Sequence, residues 1–217
     1  MTSMWASTIV ALLAMALVYI VTVEDMMLQY DIQVISQDTT VEKHLKPYEE
    51  LLGADYTGYR NHIYRVLTYS LHYLHGDEKH RETIAMALVY HDIGLWTDKT
   101  NAYLKPSIDR AVEKVSNEDV ELVQNIIYYH HKVTPFHGKN ERIVNAVRKA
   151  DWIDATMGYV HFSMPRRHMK TVNDAISEAG FHMTLAEYAQ GKRVHFGDSW
   201  KALHPFSSGE LEQEDVK

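Results

Sequence analysis

The sequence predicts an all-α fold, and three observations support this prediction. From Thr39 onward, apolar residues recur at spacings of three and four, which is the period of one face of an α-helix. No segment alternates apolar and polar residues for long enough to indicate a β-strand. The chain has 217 residues, of which 46% are hydrophobic and 24% charged, so it can bury a core and is not a long disordered or collagen-like chain. We therefore expect one domain with appendages.

The ends of the predicted helices are marked by residues with known preferences. Gly53 and Gly76 follow helical runs, and Pro135 and Pro165 stop them. The predicted helices cover residues 40–52, 57–75, 79–93, 106–115, 117–131, 141–163, 167–179 and 184–190. The chain is divided accordingly into a helical domain at 39–163, a C-terminal helical extension at 164–206 and a polar tail at 207–217.

Residues 4–23 form an uncharged apolar run near the start of the chain. As a helix, this run would be about 30 Å long, the thickness of the hydrocarbon core of a bilayer. We therefore expect an N-terminal transmembrane helix that anchors the domain to a membrane, with its side undetermined but the cytoplasmic side favoured. The alternatives are a core helix, or a translation start near Met26-Met27 that leaves a soluble cytoplasmic protein.

Composition narrows the classes of function. With 22 Lys+Arg against 29 Asp+Glu the net charge is −7, and the longest basic stretch is Arg166-Arg167, so a nucleic-acid partner is not expected. The chain has no cysteine, which excludes thiolate metal sites, iron–sulfur clusters and cysteine nucleophiles. It has 14 histidines, so any metal would be held by imidazole and carboxylate groups.

Four predicted helices each direct a histidine or an aspartate toward the core. These residues are His62, His91 with the adjacent Asp92, His130 and Asp151, and each lies at helical spacing from apolar residues. Alone, each would be a hydrogen-bonded core residue. Together, these buried polar groups are most easily compensated by a cation that binds all of them. We therefore predict a metal site.

The residues around them stand in an ordered series. It runs Asn61-His62-Ile63-Tyr64-Arg65-Val66, Tyr90-His91-Asp92-Ile93-Gly94, Ile126-Ile127-Tyr128-Tyr129-His130-His131 and Lys149-Ala150-Asp151-Trp152-Ile153-Asp154. Over about residues 55–159 this series resembles the HD-domain metal-dependent phosphohydrolases, which are all-α proteins. The resemblance implies an HD-domain-like helical bundle in which His62, His91, Asp92 and Asp151 ligate one divalent metal ion. It does not distinguish Mn, Fe, Zn, Mg, Co and Ni.

The resemblance also implies a reaction. It is hydrolysis of a small phosphorylated substrate, with nucleotides among the candidates, by a metal-activated water. Asp92 and His130 are the implied catalytic residues: Asp92 would bind the ion and orient the water, and His130 would contact the phosphate or add a ligand. The absence of a histidine between Asp92 and His130 argues against the cyclic-dinucleotide and di-iron oxygenase branches.

Other polar residues have two interpretations. Arg65 and Asp154 lie one turn after His62 and Asp151, where they would brace the ligands or form an ordinary salt bridge. His131 would join a second metal site only if the helix were distorted, because consecutive helical residues point about 100° apart; a solvent-facing side chain is the alternative. Five cationic side chains could either contact a substrate anion or be exposed to solvent without a role in function. They are Lys132, Arg148, Lys149, Arg166 and Arg167.

Two further functions remain open. One is a metal-dependent hydratase or lyase that acts on a small nitrogenous compound, and a phosphate assay separates it from a phosphohydrolase. The other is a non-catalytic binding module that keeps the metal only for structure, although all four implied ligand positions are intact. The oligomeric state is not predicted.

Overall fold

The computed structural model describes residues 30–100 and 102–193, and this part of the chain is helical, without a β-strand. The predicted all-α fold is therefore confirmed for these residues. They form ten α-helices: α1 Thr39–Leu45, α2 Glu49–Leu52, α3 Tyr56–Tyr73, α4 Arg81–Tyr90, α5 Gly94–Thr97, α6 Leu104–Val112, α7 Val120–Tyr129, α8 Glu141–Ala155, α9 Arg166–Ala175 and α10 Phe181–Ala189. Three 3₁₀ turns, Lys46–Tyr48, Gly53–Asp55 and Glu78–His80, lie between them.

α3 is the central helix. Its apolar residues Ile63, Val66 and Leu67 are fully inaccessible to solvent, and burial extends round most of the circumference of the helix. α8 packs along α3 in the most extensive helix pair of the described chain, and α4 also packs on α3. α7 contacts both α4 and α8. The four segments that carry the predicted inward histidines and aspartates therefore meet in one bundle.

α8 is shorter than the helix predicted over 141–163, because the chain leaves it through a left-handed residue. Met157 has a φ of 54° and Gly158 a φ of 78°. The amide of Gly158 donates to the carbonyl of Ile153 at 2.7 Å, and the amide of Met157 donates to that of Asp154 at 2.9 Å, which is the Schellman pattern. The sequence concealed this end because methionine, rather than glycine, occupies the first left-handed position.

Two other predicted helices are interrupted. The helix predicted over 40–52 is broken by the 3₁₀ turn that contains Pro47, since proline has no amide to donate in a helix interior. The helix predicted over 79–93 starts as a 3₁₀ turn and ends at Tyr90. The remaining predicted helices differ from the observed ones by at most four residues at either end.

The predicted membrane anchor is corrected. Among residues 30–100 and 102–193, no helix has both the length and the apolar character needed to cross a bilayer. The longest helix, α3, has 18 residues and contains Arg60 and Arg65, which are costly in hydrocarbon. Residues 4–23, on which the prediction rested, lie outside the described residues, as do residues 194–217. A transmembrane helix and a membrane partner are therefore not retained.

Candidate metal centre

Five polar side chains from four segments converge in the middle of the bundle. α3 supplies His62, the turn after α4 supplies His91 and Asp92, the turn after α7 supplies His130, and α8 supplies Asp151. None of the five is more than 5% exposed. Buried imidazoles and carboxylates at this density are unfavourable unless they are paired or bind a cation. We call these five residues the buried cluster.

The three histidines present the same ring nitrogen to the cluster. Nδ1 of His91 lies 2.6 Å from the carbonyl oxygen of Leu88, and Nδ1 of His130 lies 2.6 Å from that of Ile127. A carbonyl oxygen can only accept, so Nδ1 carries the proton in both rings. Nδ1 of His62 lies 2.7 Å from a carboxylate oxygen of Asp154. In the neutral rings each Nε2 is therefore an unprotonated lone pair that faces the cluster, as metal ligation requires.

The spacing of the inward atoms fits a shared cation. Nε2 of His62 and Nε2 of His91 are 3.0 Å apart, and two lone pairs at this distance repel each other unless a cation or a proton lies between them. Nε2 of His91 is 3.2 Å from Asp92, and Nε2 of His62 is 3.3 Å from Asp151. Donor atoms about 2.1 Å from one ion are roughly 3.0 to 3.4 Å apart. His62, His91 and Asp92 form a group that could hold a metal.

Asp92 lies between two imidazoles. Its Oδ2 is 3.2 Å from Nε2 of His91, and its Oδ1 is 3.3 Å from Nε2 of His130. Burial raises the pKa of Asp92, but His91 and His130 in their protonated forms outweigh burial and hold this pKa well below its usual range. Asp92 is therefore ionised.

The ionisation of His62 depends on two carboxylates. Burial lowers its pKa, but hydrogen bonds to Asp151 and Asp154 outweigh burial and raise the pKa to about 9. Without a metal, a proton on this ring is thus stabilised at the position where a cation would bind. The site attracts positive charge.

Arg65 and Asp154 brace His62 from behind. Nη2 of Arg65 donates to Asp154 at 2.8 Å, and Nη1 donates to the carbonyl of Ser177 at 2.8 Å. Arg65 is 1% and Asp154 4% exposed. The structure therefore brings these two residues into direct contact with each other and with the cluster. The carbonyl of Asp154 also accepts a hydrogen bond from Nε2 of His182 at 2.7 Å.

Two tyrosines that the sequence analysis did not select contact the cluster. The hydroxyl of Tyr103 lies 3.2 Å from Nε2 of His130, and the hydroxyl of Tyr59 accepts from the amide of Asp92 at 3.3 Å. Gly94 allows the approach of Tyr103, because a β-carbon at Gly94 would lie 2.5 Å from the Tyr103 carbonyl oxygen. Gly94 is the first residue of α5, and the reason for a glycine there is visible only from the packing of Tyr103.

His131 is closer to the cluster than its helical position suggested. The helix ends at Tyr129, and the amide of Lys132 donates to the Tyr129 carbonyl at 2.9 Å in a tightened turn. Nδ1 of His131 consequently lies 3.4 Å from Nε2 of His130 and 3.5 Å from the Tyr103 hydroxyl. His130 itself keeps helical backbone angles, with a φ of −51° and a ψ of −40°, so the contact is one between two neighbouring rings and needs no distortion of the helix at His130.

The other predicted anion contacts lie apart from the cluster. The ammonium of Lys149 stands over the ring of Tyr73, eleven residues after His62 on α3. Arg166 and Arg167 are exposed in the first turn of α9, whose His168 packs on His72. Of the two buried cations, Arg148 donates to the carbonyls of Lys132 and Val133, and the ammonium of Lys132 stands over the ring of Tyr128.

Comparison with known proteins identifies one family. A family model described as HD domain matches residues 59–156, the stretch that contains the whole buried cluster. No curated protein and no solved structure matches the chain significantly.

Proposed function

We propose that the chain hydrolyses a small phosphorylated substrate. The proposal starts from the match of residues 59–156 to the HD-domain family model. The observation that carries the proposal is the convergence of three Nε2 atoms and two carboxylates, all buried. The net charge of −7 makes a nucleic acid a poor substrate, whereas a small phosphate ester or nucleotide meets no such barrier.

We assign the metal to four ligands, namely His62, His91, Asp92 and Asp151. What a divalent ion supplies at such a site is a lowered pKa of water and neutralisation of charge on a phosphoryl group. The fixed Nδ1 partners of the histidines orient the rings in advance, which reduces the reorganisation needed for binding.

Asp92 and His130 are the proposed catalytic residues. Asp92 is held ionised, so it can accept a hydrogen bond from the attacking water and orient that water. His130 presents Nε2 beside both Asp92 and the Tyr103 hydroxyl. Burial lowers the pKa of His130, but the hydrogen bond to Asp92 and the charge of Asp151 outweigh burial and raise this pKa, and in its protonated form the ring can donate from Nε2 to a phosphate oxygen. The Tyr103 hydroxyl contacts the same ring nitrogen as Asp92 and helps to position this ring.

The test is release of inorganic phosphate from a panel of phosphate esters and nucleotides by full-length protein loaded with Mn²⁺, Zn²⁺ or Mg²⁺. We expect turnover by the parent, and loss of both metal retention and turnover in His91→Ala and Asp151→Ala, because each removes a ligand and leaves buried groups uncompensated. His137→Ala, at an exposed residue paired with Glu141, is the matched control.

Three results would contradict the proposal. If both ligand variants kept the parent's metal content, the assigned site would be wrong. If the loaded protein released no phosphate but hydrated a small nitrogenous compound, the hydratase alternative would replace hydrolysis. Metal retention without any turnover would favour the non-catalytic module.

We expect one equivalent of metal per chain. The four ligands leave room on a single ion for water and substrate, and a second ion would depend on His130, His131 and an Asp92 shared between two ions. Elemental analysis of protein purified without added metal measures the ratio. Two equivalents of iron together with oxygen consumption would contradict both this expectation and the hydrolase assignment.

A further inference from the structure

The chain extends past the HD-domain match and packs again on the central helix. The family model ends at residue 156, whereas the later helix α10 lies against α3. We call residues 177–193, which include α10, the C-terminal segment. Gly58 of α3 permits its approach, because a β-carbon there would lie 2.9 Å from the carbonyl oxygen of Ala179 and 3.3 Å from the amide nitrogen of Phe181. The sequence of α3 therefore accommodates this segment at close range.

Phe181 stacks on the assigned ligand His62. The two ring centroids are 4.1 Å apart and the ring planes differ by 19°, and Phe181 is 1% exposed. The hydrogen bond to Asp154 fixes the direction of Nδ1, whereas the stacked ring fixes the plane of the imidazole. The lone pair of Nε2 lies in that plane, so the plane decides whether the lone pair points at an ion. Phe181 therefore completes the orientation of this ligand.

The two residues that brace His62 from behind also contact the C-terminal segment. Nη1 of Arg65 donates to the carbonyl of Ser177 at 2.8 Å, and Nε2 of His182 donates to the carbonyl of Asp154 at 2.7 Å. The other histidines of the buried cluster instead have Nδ1 partners on the backbone three residues earlier. His62 is therefore the histidine of the cluster whose orientation depends on residues outside the HD-domain match.

A carboxylate just before α3 holds the later part of the segment. Asp55 accepts hydrogen bonds from the hydroxyl of Thr184 at 3.1 Å and from the indole of Trp96 at 2.9 Å, and it pairs with Arg193. The 3₁₀ turn before α3, α5 and α10 thus meet at one carboxylate. The C-terminal segment is attached to the domain at two places, at the residues that brace His62 and at Asp55.

We propose that Phe181 is a positioning residue that sets the plane of the His62 ring, and that metal binding is thereby coupled to the packing of the C-terminal segment. The coupling rests on the proposed function in one respect, that His62 ligates the metal, and it does not depend on which substrate is hydrolysed. If the packed segment raises the affinity for metal, bound metal must stabilise the packed segment by the same factor, because coupling between two sites is reciprocal. A side chain that only fills the core would change global stability without this coupling.

Titration of metal-free full-length protein with Zn²⁺ measures the first half of the coupling. Phe181→Leu keeps an apolar side chain at this position but removes the flat ring. We expect its Zn²⁺ affinity to fall about tenfold, the lower end of the loss expected when a residue that supports a ligand is removed. Met183→Leu is the matched control, because Met183 lies on the same helix and is 66% exposed, so its affinity should equal that of the parent.

Val41→Ala separates positioning from loss of stability. Val41 is fully buried in α1, so its truncation should lower the midpoint of urea unfolding by leaving a cavity. Asp38, the N-cap of α1, pairs with Arg81, the first residue of α4, whereas His91 and Asp92 follow the last residue of that helix. The Zn²⁺ affinity of Val41→Ala should therefore remain that of the parent.

Amide hydrogen exchange measures the second half of the coupling. Residues 177–193 are followed by mass spectrometry in the parent and in Phe181→Leu, each with and without saturating Zn²⁺. We expect Zn²⁺ to slow exchange across the C-terminal segment of the parent and to have a much smaller effect in Phe181→Leu. Because the parent alone shows whether metal protects the segment, this measurement remains decisive if Phe181→Leu does not fold.

Each contradicting result has a distinct meaning. Parent-like Zn²⁺ affinity in Phe181→Leu, or exchange of the C-terminal segment that Zn²⁺ leaves unchanged, would overturn the coupling and leave the metal site intact. An equal loss of affinity in Val41→Ala would show that lost stability, and not the plane of the His62 ring, is the cause. A parent that binds no Zn²⁺ would overturn the metal site itself, and the coupling with it.

Discussion

Each histidine of the buried cluster has one ring nitrogen held by the protein and the other directed inward. For His91 and His130 the partner is a backbone carbonyl three residues earlier, so the local helical geometry sets the tautomer. For His62 the partner is Asp154, 92 residues away in sequence. His62 is therefore the ligand whose orientation depends most on tertiary contacts.

At this scale we predict the effect of Asp154→Asn. Metal affinity should fall about 10- to 100-fold, because the amide no longer fixes the His62 ring as a carboxylate does. The free energy of unfolding should fall by about 3–5 kcal/mol, because Arg65 is left buried without its counter-charge. Calorimetric metal titration and urea unfolding measure the two effects.

Asp174→Asn is the control for this prediction. Asp174 pairs with Lys170 on exposed helix surface, where an ion pair contributes little, so neither quantity should change measurably. Parent-like metal affinity in Asp154→Asn would show that Asp154 does not orient His62.

Among the helices, two end in the same way without glycine at the first left-handed position. α3 is followed by His75 with a φ of 59°, and α8 is followed by Met157 with a φ of 54°. In each, the next residue is a glycine whose amide bonds back to the helix. At the end of α8, the left-handed residue Met157 changes the direction of the chain, and the C-terminal extension then turns back toward α3.

We predict that Met157→Gly stabilises the protein. The left-handed conformation costs a residue with a side chain about 1–2 kcal/mol, and glycine does not have this cost. Part of the gain is offset, because glycine loses more backbone entropy on folding than methionine does. Little packing is lost, because the Met157 side chain is exposed. The expected gain is about 0.5–1 kcal/mol in the free energy of unfolding, measured by urea titration.

Ala155→Gly is the matched control for this helix end. It puts glycine at a helical residue two positions earlier, so it should destabilise by up to about 1 kcal/mol. If Met157→Gly were no more stable than the parent, the left-handed residue would not be a source of strain.

For the whole molecule, the C-terminal extension packs a buried histidine into the domain. His168 of α9 is 2% exposed, stands edge-to-face on the ring of His72, and has neither ring nitrogen hydrogen-bonded within the described residues. Burial lowers the pKa of His168, His72 and Arg167 lower it further, and Asp31 opposes them. The folded state therefore favours the neutral ring.

We accordingly predict a pH dependence of global stability. Because the pKa of His168 is lower in the folded state, its contribution is present above the unfolded value of about 6.5 and is lost as the pH falls below it. Urea unfolding of metal-free protein in a chelator, from about pH 8 to pH 5, should show a shallower loss of stability for His168→Phe than for the parent.

The comparison between variant and parent removes contributions from the other titrating groups. His137→Phe, at an exposed loop residue, should retain the parent's profile. Identical profiles for His168→Phe and the parent would mean that the buried ring does not contribute to the acid sensitivity.

The helical period, the inward faces of His62, His91, His130 and Asp151, and the HD-type series were readable from the sequence, because they depend on spacing within single helices. The all-α fold and the family were predicted correctly on that basis. The prediction of a membrane anchor rested on hydropathy alone and was wrong. The predicted end of α8 was wrong because Met157 adopts a left-handed conformation, which the residue type does not reveal.

Only the tertiary structure decided what lies between helices. The approach of Tyr103 past Gly94 and the contact of Asp154 with His62 both join residues from different elements. Spacing along one helix determines which face a side chain takes. Distances between faces follow from how the helices pack, and the ring orientations and open volumes that define a site depend on those distances.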